Sequence, residues 1–283
     1  MKKCLGLLFV VALSFSSFAN EQTDSLFAQR GQGTEFAQQA ADLARDLARN
    51  EVNPVEKALL KTSEAEAIYF VGQRVSSKDA KKELHTRGFE AAREAIALLA
   101  KSKNGKEAKS DELKTPLARA HYFFAINLGK WGEANGVLSS LSRWPELRDH
   151  LDMIDGLDKT VEDYGSSRTR GRAYHKLPFA SKDDAEKVLA EAFENTLADG
   201  IELSKNSTTV FYYLDILVKT GNNPSKFCEV YKLYTELSTF SDDELAELYN
   251  AKKVPETKTD LKNFLENKEF EENVAKYNRN NCR

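Results

Sequence analysis

Residues 129–134 read Gly-Lys-Trp-Gly-Glu-Ala, and residues 170–178 read Arg-Gly-Arg-Ala-Tyr-His-Lys-Leu-Pro. A glycine five residues before an alanine suits a tight turn between antiparallel helices. Glycine tolerates positive φ, and alanine lets the second helix come close. We therefore place a turn at residues 129–133. The predicted fold is all-α, with antiparallel helix pairs stacked as a tetratricopeptide-like helical-repeat bundle.

Apolar residues recur at helical spacing along most of the 283-residue sequence. The predicted helices cover approximately residues 34–50, 55–76, 88–99, 117–128, 134–141, 145–164, 169–177, 182–197, 208–220 and 225–237. Polar residues 101–110 predict a loop, and residues 165–168 predict a turn. The Trp144-Pro145 pair predicts a helix end, and the residue before Pro178 disfavours helical geometry, so a second helix is expected to end there.

Residues 1–19 have the three parts of a secretory signal. Two lysines precede an apolar run at residues 5–13, and a small-x-small cleavage site ends at Ala19. We expect cleavage near Ala19 and a periplasmic or secreted mature protein. The early cysteine, Cys4, precedes the apolar run rather than following the cleavage site, so no lipid anchor is expected.

The rest of the sequence is expected to form one domain. Residues 20–283 contain few prolines and no Gly/Ser-rich linker, which favours a single helical-repeat domain with a polar, loosely packed tail from about residue 250. The chain carries a formal net charge of −3 and no basic stripe, so nucleic acid is not an expected partner. No segment after the signal approaches the roughly 20 apolar residues that span a membrane.

One family resemblance rests on two motifs, Leu128-Gly-Lys-Trp131 after an aromatic helix and the run at residues 165–178. Together they resemble the TatT-type periplasmic component associated with TRAP transporters. The resemblance covers roughly residues 55–240. It implies a tetratricopeptide-like fold, a homo-oligomer, a periplasmic solute-binding protein as partner and a cavity for an apolar small molecule. Members of that family are usually lipoproteins, and this sequence lacks the anchoring cysteine.

The second motif supplies the first group of candidate binding residues. These are Arg168, Arg172, Tyr174, His175 and Lys176. Guanidinium groups near a helix start hold a carboxylate or phosphate of a ligand or partner. The alternative is that the arginines pair with the acidic residues just upstream, between positions 152 and 163. The sequence leaves both interpretations open.

Aromatic residues supply the second group, Tyr122 and Phe123 on one helix and Tyr212 and Tyr213 on another. Adjacent aromatic residues on one helix cannot all face the same side. They either line a cavity for an apolar ligand or pack in the core.

Cys228 and Cys282 form an even pair in an oxidising compartment, which suits a structural disulfide. Sequence alone leaves two free thiols as the alternative, because the distance between the Cα atoms is unknown.

No motif for catalysis, a cofactor or a metal stands out. The four histidines lie far apart, and the Asp149-His150 pair is interpreted as part of a solvated helix face. We therefore expect a non-enzymatic binding protein, and an enzyme only through a site assembled in three dimensions. The alternative function is a secreted structural or assembly scaffold without a small-molecule ligand.

Overall fold

The computed structural model describes residues 20–104, 111–197, 204, 206–237, 276–278 and 280–282. The predicted signal at residues 1–19 lies outside the described residues. So do residues 105–110 of the predicted loop and most of the predicted tail.

The described residues are helical almost throughout. Helix α1 covers residues 20–28. It is followed by α2 (Thr34–Asn50), α3 (Pro54–Arg74), α4 (Lys78–Asn104), α5 (Lys114–Asn135), α6 (Val137–Asp158), α7 (Val161–Lys176), α8 (Lys182–Glu194), α9 (Ser207–Thr220) and α10 (Pro224–Leu237). Within the described ranges there is an isolated β-bridge, Leu197 to Ser204, and no strand. In the same ranges, no helix is both long and apolar enough to cross a membrane.

The chain divides into two compact units, Met1–Asp158 and Lys159–Arg283. Within each unit, consecutive helices pack together, and a helix also contacts the next but one, α3 with α5 and α7 with α9. This is the packing of stacked helix pairs, so the predicted all-α helical-repeat bundle is confirmed. Each repeat of such an array contacts mainly its neighbours, so a division into two compact units is compatible with one repeat domain. The single repeat domain therefore stays a prediction.

The first two long helices, α2 and α3, pack together, and a local signal marks the start of α3. Helix α2 has the predicted bounds, and one side of it carries only alanines in the core, Ala37, Ala40, Ala41, Ala44 and Ala48. Such small side chains let α3 approach closely. Helix α3 begins at Pro54, where Asn53 Oδ1 accepts a hydrogen bond from the Val55 backbone N–H at 2.9 Å.

A buried amide joins three helices of the first unit. Asn127 Nδ2 in α5 donates to the carbonyl oxygens of Ala65 in α3, at 3.1 Å, and of Phe123, at 2.8 Å. Its Oδ1 lies 3.0 Å from His85 Nδ1 in α4. Two glycines make room for these side chains. A Cβ at Gly72 would lie 2.6 Å from the His85 ring, and one at Gly88 would lie 2.5 Å from Asn127 Cγ.

The predicted turn at residues 129–133 is wrong. Helix α5 continues to Asn135, and the chain turns at Gly136, where φ is +94°. Gly132 lies inside the helix, where an added Cβ would come 2.8 Å from Ser140 Oγ in α6. The motif glycine at 132 therefore permits close packing of two helices, and the positive φ that a turn requires is found at Gly136.

The predicted helix end at Trp144-Pro145 is also wrong, because α6 continues through Pro145. A proline inside a helix removes one backbone donor and usually bends the helix. Here Leu147, Leu151 and Ile154, all beyond the proline, are buried, and α6 packs on α5. We attribute the continuation to this burial, which outweighs the lost hydrogen bond.

The second unit begins with an unusual turn. The backbone of Glu162, Asp163 and Tyr164 has φ between 51° and 57°. This is the left-handed region, which residues other than glycine rarely adopt. Regular helix resumes at residue 165, so the turn lies three residues before the predicted one. The predicted helix end before Pro178 is confirmed, and so is the cap at Ser181, whose Oγ accepts from the Asp184 N–H at 3.1 Å.

A disulfide joins Cys228 in α10 to Cys282, with the two Cα atoms 5.5 Å apart. From the sequence alone, two free thiols were the alternative to this disulfide. Beside the bridge, the Tyr277 ring packs edge-on against the buried Phe227 ring, with 4.7 Å between the centroids. The bridge therefore holds the described C-terminal residues against α10.

A pair of glycine substitutions tests these assignments. Gly88→Ala is expected to destabilise the protein by about 1–3 kcal/mol, because the methyl group displaces Asn127 from its hydrogen bonds. Gly129 has nothing within 4 Å of an added Cβ. Gly129→Ala is therefore expected to stabilise by about 0.5–1 kcal/mol through helix propensity. Urea unfolding measures both, and a loss of stability in Gly129→Ala would instead favour a turn there.

Candidate functional site

Three of the motif residues lie on the side of α7 that faces α9. Arg168, Arg172 and His175 follow the four- and three-residue spacing that aligns side chains on one face of a helix. Each of them contacts residues outside its own helical turn, and Arg172 and His175 share one partner in α9. This face is the candidate site because it combines charge, an imidazole and aromatic rings.

Arg168 holds the left-handed turn together. Its guanidinium donates to the carbonyl oxygens of Glu162, at 3.0 Å, and Asp163, at 2.9 Å. It also donates to Thr209 Oγ1 in α9 at 3.3 Å, and the residue is only 4% exposed. Two of these acceptors are backbone oxygens of the turn itself, and the third is a side-chain hydroxyl of α9. Since its donors are used inside the protein, Arg168 contributes to folding of the site.

Arg172 forms an ion pair with Asp215 of α9, through Nη1 and Oδ2. The guanidinium carbon lies 4.7 Å from the centroid of the Tyr212 ring, within cation–π range. Both charged side chains are largely buried, at 15% and 21% exposure. This acidic partner comes from α9, 43 residues along the chain, a helix that the sequence interpretation did not consider.

His175 completes this cluster as a neutral imidazole. Its Nδ1 lies 3.3 Å from Arg172 Nη1 and 3.5 Å from Asp215 Oδ2. Its pKa is lowered to about 4, chiefly by burial, with Asp215 acting to raise it and Arg172 acting to lower it. Because guanidinium has only donors, Nδ1 accepts the hydrogen bond from Arg172, which leaves the ring proton on Nε2.

Lys182 closes the end of α7. Its Nζ donates to the carbonyl oxygens of Tyr174, at 3.0 Å, His175, at 2.9 Å, and Leu177, at 2.8 Å. These are terminal helix carbonyls, which a cation satisfies and stabilises. Of the other motif residues, Tyr174 packs against the core of the second unit and Lys176 is exposed.

The four aromatic candidates are all buried. Tyr122 and Phe123 are 6% and 3% exposed in the first unit, and Tyr212 and Tyr213 are 8% and 6% exposed in the second. The Tyr213 ring lies 5.0 Å from the Phe193 ring, and burial raises its pKa to about 12. Burial of all four side chains is what the second interpretation, packing in the core, predicts. A cavity lined by these residues stays a prediction.

Sequence reasoning missed Asp215 and Lys182. Asp215 did carry a signal, because it is the only charged residue between positions 207 and 218 of an otherwise apolar helix. A single carboxylate there requires a cation from another helix, since a buried charge is paired. Lys182 had no comparable signal, because nothing near it in the sequence indicates which acceptors its ammonium group meets.

The arrangement offers hydrogen bonding and charge complementarity. Arg172 and His175 are positioned by Asp215, so a polar group reaching this face would meet a fixed set of donors. Among the described residues, no group of three or more histidine, cysteine or acidic side chains is placed to hold a metal ion.

No protein-family model matches this sequence, and no curated protein is similar to it at a significant level.

Replacing Asp215 tests the central ion pair. Asp215→Asn leaves the largely buried Arg172 charge without its carboxylate, and we expect a loss of about 1–3 kcal/mol in the free energy of unfolding. The matched control is Glu191→Gln on the exposed side of α8, which is expected to change stability by less than about 0.5 kcal/mol. Chemical unfolding compares the two, and equal effects would rule out a structural role for the pair.

Proposed function

We propose that this chain is an exported helical-repeat protein that binds a protein partner, in the manner of the TatT-type component it resembles. The observation that carries the proposal is the stacking within each unit, where a helix contacts both the next helix and the one after it. Each added helix pair extends the surface of such an array, and extended surfaces of this kind serve binding. The resemblance names a periplasmic solute-binding protein as the partner and an apolar small molecule as the ligand.

The exposed end of the motif is where we place the partner contact. Arg168, Arg172 and His175 are engaged with other parts of the second unit. Beyond them, Lys176 and Pro178 are exposed, and Phe179 is 65% exposed. An exposed aromatic ring beside a rigid proline and a charge resembles the anchors that dominate binding energy at protein interfaces.

One observation favours a second candidate, a secreted scaffold without a small-molecule ligand. The motif arginines and all four aromatic candidates are buried or bonded within their own unit. Residues used in this way define a rigid surface and do not require a ligand. Both candidates are non-enzymatic and share the expectation of a protein partner.

Site-specific crosslinking tests the partner contact. With a photoreactive amino acid at position 179, the protein is expected to crosslink a periplasmic solute-binding protein, and the purified pair is then expected to bind. The control places the same group at Val52, which is 92% exposed in the first unit. Equal crosslinking from both positions, or no binding by the purified pair, would contradict the proposal.

Native mass spectrometry of the protein purified from the periplasm separates the two candidates. A retained lipid or other apolar mass is expected if the chain binds a small ligand, because buried apolar ligands survive purification when they dissociate slowly. A clean mass of the mature chain under all conditions would instead favour the scaffold.

A further inference from the structure

Two histidines of the first unit meet across neighbouring helices. His121 in α5 and His150 in α6 approach with their Nδ1 atoms 2.9 Å apart, which is hydrogen-bond distance. The sequence predicts a solvated face at Asp149-His150. In the structure, however, the His150 ring lies flat on the buried Phe124 ring, with 3.8 Å between the centroids and 8° between the planes. His150 is therefore part of the contact between α5 and α6.

A hydrogen bond between two neutral imidazoles needs one N–H and one free lone pair. One Nδ1 donates and the other accepts, so the closed pair is complementary without any charge. A first added proton can be shared as an imidazolium–imidazole bond, but it places a charge among apolar rings. A second proton sets two N–H groups against each other, and the bond is lost.

The surroundings of the pair resist the first proton. Burial lowers the pKa of both His121 and His150 to about 4, and each has a further cause. For His121 that cause is the other imidazole, and for His150 it is Arg93 of α4. Asp149 of α6 acts in the opposite direction on His150. Of the described residues, these are the charged groups that act on the pair.

Arg93 is fixed close by. It pairs with Glu90 of its own helix and lies 3.4 Å from Glu146 of α6, and its guanidinium carbon is 5.3 Å from the Phe124 centroid. The same positive charge disfavours a metal cation at the pair. Only two imidazoles meet here, and within the described residues no third metal-ligating side chain completes a site.

The connection between the two helices can accommodate their separation. A single residue, Gly136, joins α5 to α6, and its φ of +94° is one that glycine leaves easily. Helix α6 buries Leu147, Leu151 and Ile154. If α6 swings away from α5, this apolar face becomes available for binding.

We propose that the His121–His150 pair is an acid-sensitive clasp, which holds α6 on α5 at neutral pH and releases it in acid. The direction of this pH effect follows from the linkage between proton binding and detachment of α6. The detached histidines have ordinary pKa values near 6.5, and the closed pair has lower ones, so detachment takes up protons. The clasp is complete above pH 6.5 and weakens as the pH falls toward 4.

Hydrogen exchange of the full chain tests the clasp. Between about pH 7 and pH 4.5, and after correction for intrinsic exchange, the opening equilibrium of α6 amides is expected to rise by roughly a thousandfold, because each of the two histidines contributes roughly thirtyfold to sixtyfold. Helix α2, which carries no histidine, serves as the internal reference. Protection that falls equally in α2 and α6 would overturn the proposal.

Two variants identify the histidines responsible. Combining His121→Leu with His150→Phe removes both titrating groups, and the extra loss of protection in α6 is expected to disappear. The matched control is His175→Gln in the second unit, which is expected to leave the α6 response unchanged. A pH response that survives in the double variant would overturn the proposal.

An NMR titration of the unmodified chain gives an answer even if the double variant does not fold. Both imidazoles are expected to take up protons at a pH well below the pKa of a free histidine, in the pH range where α6 loses protection. Protonation near pH 6.5 with α6 still protected would contradict the clasp.

Discussion

The amide of Asn127 is the constraint on which the first unit depends. Its neighbours along α5 are apolar, and its three hydrogen bonds reach residues of α3, of α4 and of α5 itself. A buried amide without partners costs about 1–3 kcal/mol, so a slip of any of these helices along its axis is penalised. Apolar packing alone tolerates several registers. The buried amide, with Gly88 facing it and Gly72 facing the His85 ring, selects one.

The second unit uses charged side chains for the same purpose. Arg168 satisfies the carbonyl oxygens of the left-handed turn, and Lys182 satisfies those at the other end of α7. Arg172 and Asp215 then fix this helix against α9. The motif that suggested a binding site is thus mainly the framework of the unit. The segment just beyond it, at Pro178 and Phe179, is exposed.

The sequence predicted those features that depend on neighbouring residues. The serine cap of α8 and the end of α7 before Pro178 follow from side chains within a few positions. The bounds of α2 also match the prediction, although Gly33 precedes the helix without a side-chain cap. The errors at residues 129–133 and at Pro145 have one cause, since contact between α5 and α6 outweighs the local preference for a break. The pairing of Arg172 with Asp215 spans 43 residues, and spacing alone gave no means of choosing that partner.

The tautomer of His85 tests the central constraint most directly. Both Asn127 Nδ2 contacts are carbonyl oxygens, so its Oδ1 faces His85 and accepts a hydrogen bond from Nδ1. Nitrogen-15 NMR of the imidazole at neutral pH is expected to show a protonated Nδ1, in slow exchange with water, and an unprotonated Nε2. A ring protonated at Nε2 alone, or one that averages between the two forms, would contradict the account.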